Sequence, residues 1–303
     1  MSETSQNKMA AAGNALINDV LGRFGHIVSN EDVGLTFRLY ETPLANHAGR
    51  YVDGAVNAIG AKTPFYPASV CKLFYLAAAH AFEEAGHVTL DAEDQRAIAA
   101  MIRYSSNEAT CYVLSRLTGT ENGAILDDAA MADWWARRKT VQAYFDDLQE
   151  PAYEGLRLWH GTYEESPYGR EKAVRKHGGN LMTPLAAATL LHDIMTGQSV
   201  SPTASQAMRD LLWRDWERSG PRDPGQPPDQ IEGFLAQDLP ATTRVWSKAG
   251  LTSETRHDVI AFELENGASC VAAAFTKGVA AAESTEVLPY IGAALHLLTE
   301  QMT

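Results

Sequence analysis

Residues 64–77 read PFYPASVCKLFYLA, an irregular segment with two prolines that runs into an apolar helical pattern. Pro67 disfavours helix immediately before it and Ser69 suits a helix N-terminus, so the sequence predicts a helix that begins near Ser69. Lys72 follows three residues later and therefore shares a helix face with the Ser69 hydroxyl. This spacing is typical of a nucleophile beside its general base, and the helix N-terminus favours the negative charge that develops.

The tetrad by itself allows two interpretations. A helix cap followed by a solvated lysine gives the same four residues, because Ser-x-x-Lys occurs often in helices without any chemistry. Cys71 lies two positions from Ser69, points to another side of the helix and is a poor rival nucleophile. The choice between a catalytic and a structural role therefore depends on the rest of the chain.

Composition sets the limits for that choice. The chain has 303 residues, of which 45% are hydrophobic and 21% charged, which is typical of a globular protein with one large domain or two lobes. Its formal net charge of −13 argues against nucleic acid and anionic membranes as partners. The three cysteines lack metal-binding spacing, and the N-terminal residues contain no apolar signal core. We therefore expect a soluble, cytoplasmic protein with free thiols.

The order of the predicted elements indicates an α+β fold. Alternating or extended patterns occur at residues 33–40, 51–59, 243–248, 258–264 and 269–276. Helical patterns occur at residues 9–24, 69–84, 91–103, 109–117, 131–148, 184–194 and 287–298. These patterns predict a five-stranded antiparallel sheet, built from both ends of the chain and flanked by the N- and C-terminal helices, with a helical domain inserted.

The predicted domain boundaries follow from the same order. Residues 1–62 and 241–303 are expected to form an α/β lobe, and residues 63–240 a mainly helical lobe. The active site is expected in the cleft between the two lobes. Residues 221–228 are rich in proline and predict a linker, whereas the long segment after residue 148 is a candidate lid.

Two further short motifs lie where such a cleft needs them. Ser105-Ser106-Asn107 separates two helical patterns, so that a hydroxyl and an amide can reach between the helices. Lys248-Ala249-Gly250 ends a predicted strand, where the glycine lets a substrate lie against the backbone and the lysine adds a second positive charge. Neither motif is specific by itself, and their order along the chain gives them weight.

With these three motifs in this order, the chain resembles the serine β-lactamase and penicillin-binding protein superfamily, most closely the class A β-lactamases. That family is marked by S-x-x-K, then S-D-N, then K-[TS]-G on a strand. The corresponding segments here are SVCK at 69–72, SSN at 105–107 and KAG at 248–250. The resemblance extends over roughly residues 30–300 and implies a β-lactamase/transpeptidase-like fold, without a metal or an organic cofactor.

The resemblance assigns catalytic roles. It implies that Ser69 is the acylated nucleophile and that Lys72 is its general base. Burial and the charge of Lys248 would lower the pKa of Lys72, which favours the neutral base. Ser105 would relay a proton to the leaving amine, and Lys248 would orient Ser105 and attract a substrate carboxylate.

It also assigns groups that bind the substrate. Asn107 would bind a substrate amide, and Gly250 would let the substrate approach the strand. The backbone N–H groups of Ser69 and Leu251 would form an oxyanion hole, in which losing one donor typically costs about 10²- to 10³-fold in rate.

Several departures from the family pattern bear on these roles. Ser106 stands where the family usually has Asp, although a neutral hydroxyl can still hydrogen-bond to the backbone. Ala249 replaces a hydroxyl residue that helps to hold the carboxylate of a β-lactam. Arg256 or His257 on the adjacent strand is the expected substitute, and surface charge near a strand end is the alternative interpretation of both.

The deacylating glutamate of class A enzymes, which Leu-Asn follows, has no counterpart between residues 107 and 183. Glu164 and Glu165 lie at about the right distance before Thr183 and are the candidates for this base, with Glu171 as a third; a solvated loop charge is the alternative for each. Without a base, deacylation would slow by about 10²- to 10⁴-fold.

Three hypotheses follow. The leading one is a serine hydrolase that cleaves a small amide, lactam or ester, β-lactams included, through an acyl-Ser69 intermediate; its substrate would be a small molecule with a carboxylate. The second is a peptidase or acyltransferase like the penicillin-binding proteins, with an amine as acceptor. The third is a non-catalytic ligand-binding module, because a fold alone does not establish chemistry. The presence of all three motifs argues against the third.

Overall fold

The computed structural model describes residues 3–214 and 230–302, so the predicted linker at 221–228 lies outside the described residues. The α-helices are α1 (Glu3–Phe24), α2 (Cys71–Glu84), α3 (Ala92–Arg103), α4 (Asn107–Thr118), α5 (Asp128–Arg138), α6 (Thr140–Asp147), α7 (Gly169–Val174), α8 (Pro184–Met195), α9 (Pro202–Leu212), α10 (Val279–Glu283) and α11 (Val287–Glu300). The single helix predicted at 131–148 is two helices, α5 and α6. No helix in the described part of the chain has the length and apolar composition needed to cross a bilayer.

The strands form one antiparallel sheet in the order β2-β1-β6-β5-β4-β3. They are β1 (Val33–Tyr40), β2 (Val56–Ile59), β3 (Trp213–Arg214), β4 (Arg244–Leu251), β5 (Thr255–Glu263) and β6 (Ser269–Lys277). β1 pairs along its whole length with β6, and β5 joins β6 through the predicted hairpin turn. The prediction that both ends of the chain build one antiparallel sheet is therefore confirmed.

The predicted strand number of five is wrong by one. The additional strand is β3, in which Trp213 pairs with Trp246 and Arg214 pairs with Val245. Two residues directly after α9 are too few to give an alternating pattern of their own, which is why the sequence did not reveal this strand. It places Arg214 at the edge of the sheet, next to the KAG segment.

The sheet separates two apolar cores. The inner core lies between the sheet and the helical lobe and includes Phe74, Leu76, Leu190, Val259 and Phe275. The outer core lies under α1 and α11 and includes Val20, Leu235, Ile260, Leu288 and Leu295. Each strand contributes side chains to both cores, because neighbouring residues such as Val259 and Ile260 of β5 point to opposite faces of the sheet. The two-lobe division stays a prediction, although residues 231–239 contribute to the outer core and β3 joins the sheet.

The central element of the helical lobe is α2. Its side chains are buried on nearly every side, including all residues from Cys71 to Ala79. A helix that is apolar all round lies inside a lobe rather than on its surface. Lys72 is the charged exception among these residues, so the fold carries an amine into a position where water is largely excluded.

Candidate active site

The turn that carries Ser69 has an uncommon backbone conformation. Ala68 has a φ of +46°, in the left-handed region that residues other than glycine rarely adopt. A 3₁₀ turn (Ala68–Val70) follows and continues into α2, close to the predicted helix start. Such a conformation typically costs about 1–3 kcal/mol and is found mainly at functional sites. Ser69 itself is half-buried, and within the described ranges its hydroxyl makes no hydrogen bond, which leaves the oxygen available to a substrate.

Lys72 directs its amine to the loop between α3 and α4. Its Nζ donates to Asn107 Oδ1 at 2.8 Å, to Ser105 Oγ at 3.2 Å and to the Ser105 carbonyl oxygen. Burial lowers the pKa of Lys72 to about 8, although nearby acidic groups, Glu164 among them, oppose the shift. A direct bond to the Ser69 hydroxyl is absent, because a buried amine with three donors takes the acceptors of this loop.

Ser105 lies between the two lysines. Its Oγ is 3.2 Å from Lys72 Nζ and 3.0 Å from Lys248 Nζ, and its backbone φ is +56°. The next residue, Ser106, caps α4 by accepting a hydrogen bond from Ala109 N at 3.1 Å. The expected hydrogen bond between a neutral hydroxyl at position 106 and the backbone is therefore present.

Lys248 has a partner that the sequence did not indicate, Gln230. Besides the bridging serine, Lys248 Nζ donates to Gln230 Oε1 at 2.7 Å and to the Ala249 carbonyl at 2.8 Å. The same Oε1 accepts from Ala249 N at 3.2 Å, and Gln230 Nε2 donates to the carbonyls of Ile102 and Arg103 at 3.0 Å each. One glutamine thus ties β4 to the C-terminal end of α3. An isolated glutamine at the end of a proline-rich segment carries no sequence signal for this role.

The positive charges of the cleft affect one another. Burial, followed by the charges of Lys72 and Arg214, holds the pKa of Lys248 well below its usual value. Arg214 pairs with Val245 in the sheet, and its Nε donates to Ser247 Oγ at 3.1 Å, so its guanidinium lies beside the residue that precedes Lys248. Both lysines are therefore poised to be neutral more readily than a solvated lysine is.

The KAG segment borders the nucleophile turn. A Cβ on Gly250 would lie 3.1 Å from Ser69 N and 3.0 Å from the Pro67 carbonyl oxygen, so a larger residue would require the nucleophile turn to shift by a few tenths of an ångström. Thr252 N donates to the Thr255 carbonyl, and the alternation of an antiparallel ladder then turns the Leu251 N–H away from β5. Ser69 N thus lies beside Gly250, the residue that precedes Leu251.

The loop before α7 brings one candidate glutamate into the cleft. Asn107 Nδ2 donates to Glu164 Oε1 at 2.8 Å, while Asn107 Oδ1 accepts from Lys72. Glu164 and Glu165 are both exposed, but Glu165 makes no hydrogen bond or ion pair among the described residues. Of the two candidates, the structure therefore places only Glu164 beside the motif residues.

Glu171 lies elsewhere, in a buried ion-pair cluster. It pairs with Arg138 at the end of α5 and accepts a hydrogen bond from His160 Nδ1 at 3.1 Å. Burial raises the pKa of Glu171, but the hydrogen bond from His160 and the charge of Arg138 outweigh burial and hold the pKa below its usual range. The cluster closes the base of the loop that carries Glu164. In the described ranges, no group of three or more His, Cys, Asp or Glu side chains is arranged to hold a metal ion.

The residues expected to hold a carboxylate are placed differently from the expectation. Arg256 points into the opposite side of the sheet, where Nε donates to the Ala282 carbonyl at 2.9 Å. His257 is fully buried behind the cleft and bonds to the Tyr66 carbonyl at 2.9 Å; burial lowers its pKa to about 4, so the ring is neutral. The methyl group of Ala249 packs in the outer core. The described contacts thus direct none of the three side chains towards the Ser69 hydroxyl.

The comparisons with known proteins identify the family and the fold of the chain. The sequence model described as "Beta-lactamase enzyme family" matches residues 95–298, more than half of the chain. Those residues contain the SSN and KAG motifs and exclude the SVCK motif. No curated protein sequence matches the chain.

Several solved structures have the same fold. A β-lactamase from Sphaerobacter thermophilus aligns with a TM-score of 0.63 and 16% identity over 94% of this chain and 97% of its own. A β-lactamase from Chitinophaga pinensis gives 0.66 and 15% over 96% and 100%. PBP-A gives 0.61 and 16% over 95% and 96%. These similarities show the fold, and the match to the sequence model shows the family: the chain belongs to the β-lactamase enzyme family.

Proposed function

We propose that this protein is a serine hydrolase that cleaves a small amide, lactam or ester through an acyl-Ser69 intermediate. The observation that carries the proposal is the Ser105 hydroxyl, which lies 3.2 Å from Lys72 Nζ and 3.0 Å from Lys248 Nζ. A hydroxyl between two buried amines can move protons during acyl transfer, and Ser69 follows the turn that borders Gly250, two residues after Lys248.

Acylation would proceed in the following way. Neutral Lys72 takes the proton of the Ser69 hydroxyl while Ser69 Oγ bonds to the substrate carbonyl carbon. The N–H groups of Ser69 and Leu251 stabilise the oxyanion, each worth about 10²- to 10³-fold in rate. As the bond to the leaving nitrogen or oxygen breaks, Ser105 donates its proton to that atom and recovers one from Lys72. Lys248 keeps Ser105 oriented throughout.

Deacylation would use Glu164. The carboxylate takes a proton from water while the water oxygen bonds to the acyl carbon, and the proton returns to Ser69 Oγ as the ester bond breaks. Glu164 is held by Asn107 rather than by Lys72, and it is exposed. This open position favours a second candidate function, in which an amine replaces water as the acyl acceptor.

Intact-protein mass spectrometry tests the proposal. The folded protein is exposed briefly to a fluorophosphonate probe, a neutral aryl ester, a penicillin and a chromogenic cephalosporin. We expect a mass increase that maps to Ser69 with at least the fluorophosphonate and the ester, and its loss in Ser69→Ala with an unchanged circular dichroism spectrum. Folded wild-type protein without any adduct would contradict the proposal and favour a binding module. An adduct that persists in Ser69→Ala would place the nucleophile elsewhere.

A further inference from the structure

The side-chain amide of Gln230 is fully used. Its Oε1 accepts from Lys248 Nζ and from Ala249 N, and its Nε2 donates to two carbonyl oxygens at the end of α3. A glutamine amide offers two donors and a carbonyl with two lone pairs, so all four positions are occupied. Only 5% of the Gln230 surface is exposed, and the side chain is therefore a fixed part of the cleft wall.

Lys248 has no donor left for a substrate. An ammonium group carries three N–H donors and a neutral amine carries two, so three acceptors around Nζ occupy every donor in either form. Lys248 Nζ lies 3.0 Å from Ser105 Oγ, 2.7 Å from Gln230 Oε1 and 2.8 Å from the Ala249 carbonyl oxygen, and the side chain is fully buried. A substrate carboxylate could reach this amine only by displacing one of these acceptors, which would leave a buried polar group without a partner.

Among the residues that the structure describes, three neighbouring donors of the KAG segment already have partners within the protein. The backbone N–H of Ala249 is taken by Gln230, and the guanidinium of Arg256 donates to the carbonyls of Ala282 and Gly233. Arg214 is engaged with Ser247. Both arginines are also more than 90% buried, so neither guanidinium lies open to a substrate.

We propose that Gln230 occupies the position beside Lys248 at which an anionic group of an acyl donor would bind, so that the substrate is a neutral ester or amide at its leaving-group end. The inference rests on the acyl-Ser69 chemistry proposed above. Gln230 Oε1 takes the place of a carboxylate oxygen: it receives the lysine N–H and a backbone N–H of the same strand, without bringing a charge. Gln230 is then a specificity-determining residue that also positions Lys248.

A matched pair of acyl donors tests this assignment. The benzoyl thioester of thioglycolic acid has an anionic leaving group, and the methyl ester of the same compound is neutral. Thiol release and the Ser69 adduct mass give a second-order acylation rate constant for each. We expect wild-type protein to react with the neutral donor at least as fast as with the acid. A wild-type preference of more than threefold for the acid would overturn the inference.

Gln230→Ala and Gln230→Leu assign the effect to the glutamine. Both free one N–H of Lys248, and the leucine keeps most of the side-chain volume. The acid-to-neutral rate ratio should rise about tenfold, the equivalent of one hydrogen bond to a charged group. Gln206→Ala, at an exposed glutamine of α9, should leave the ratio unchanged. A rise of less than threefold in both folded Gln230 variants would overturn the role of Gln230, and the ratio is insensitive to a general loss of stability.

Fluorophosphonate labelling separates the two proposals. No label on folded wild-type protein means that the acyl-Ser69 chemistry itself fails. Label on Ser69 together with a preference for the acid overturns only the neutral-substrate inference. Label on Ser69 without reaction of either thioester also overturns it, because the neutral donor is expected to react.

Discussion

Lys72 is a buried residue and the proposed general base, so its pKa should determine how the acylation rate depends on pH. Its pKa is lowered to about 8, chiefly by burial. Only the neutral amine can accept the Ser69 proton, so the acylation rate should rise with pH and level off above about pH 8. The measurement is the rate of Ser69 acylation by a neutral ester from pH 6 to 9.5, corrected for hydrolysis without protein. A rate that is flat or falls over this range would exclude Lys72 as the base.

The contact between Asn107 and Glu164 predicts where deacylation is controlled. Glu164→Gln keeps the size of the side chain and can still accept a hydrogen bond from Asn107, but it cannot take a proton from water. We expect the acyl-enzyme to accumulate, with deacylation slowed by about 10²- to 10⁴-fold while acylation changes little. Time-resolved intact-mass spectra measure both steps.

Glu165→Gln is the matched comparison for that variant. It removes the same charge one residue further along the loop, where no described hydrogen bond is made, so the lifetime of the acyl-enzyme should stay as in the wild type. Equal effects of the two substitutions would show that loop charge, rather than a positioned base, governs deacylation.

At the scale of single residues, the motifs predicted which side chains meet but not how they bond. Lys72, Ser105 and Lys248 come together and Ser69 lies near Gly250, because short motifs with fixed local spacing determine which helix face or strand end carries each group. Gln230 could not be predicted, since its partners lie far from it in sequence and a lone glutamine has no pattern. The positions of Arg256 and His257 depend on the register of β5, which the sequence did not fix.

At the scale of elements, caps and alternation made most helices and strands predictable. Asp91 caps α3 with a complete capping box, and Thr183 caps α8 ahead of Pro184, as these residue types favour. The break between α5 and α6 and the two-residue strand β3 escaped prediction. Both depend on tertiary contacts, and neither interrupts the local pattern with a glycine or proline.

The contact between His160 and Glu171 closes the loop that carries Glu164, so we expect the free energy of unfolding and the deacylation rate to depend on the same cluster. Glu171→Gln leaves the buried Arg138 guanidinium without its counter-charge, which typically costs about 3–5 kcal/mol. The free energy of unfolding in urea at pH 7 should fall by this amount, and deacylation should slow because the same loop carries Glu164. Glu154→Gln, at an exposed site, is the control. A loss below about 1 kcal/mol would show that the cluster does not hold the loop.

At the scale of the whole molecule, one sheet separates the inner apolar core from the outer apolar core. The inner core contains α2 and borders the proposed catalytic groups, whereas the outer core joins the N-terminal helix α1 to the C-terminal helix α11. The sequence predicted this layout because its strands cluster at both ends of the chain and amphipathic helices flank them. Which apolar residue faces which core follows only from the strand register.

This division predicts that stability and catalysis can be changed separately from the outer side. Leu295 is fully buried in the outer core, so Leu295→Ala should lower the free energy of unfolding by about 2–5 kcal/mol. The cavity lies across the sheet from Ser69, and the acylation rate per folded molecule, measured well below the melting temperature, should stay within about threefold of the wild type because the sheet is close-packed. Leu297→Ala, two positions along the same helix and 57% exposed, should change neither quantity appreciably. A tenfold loss of acylation in fully folded Leu295→Ala would mean that a packing change in the outer core is transmitted across the sheet to the site, and would contradict the prediction.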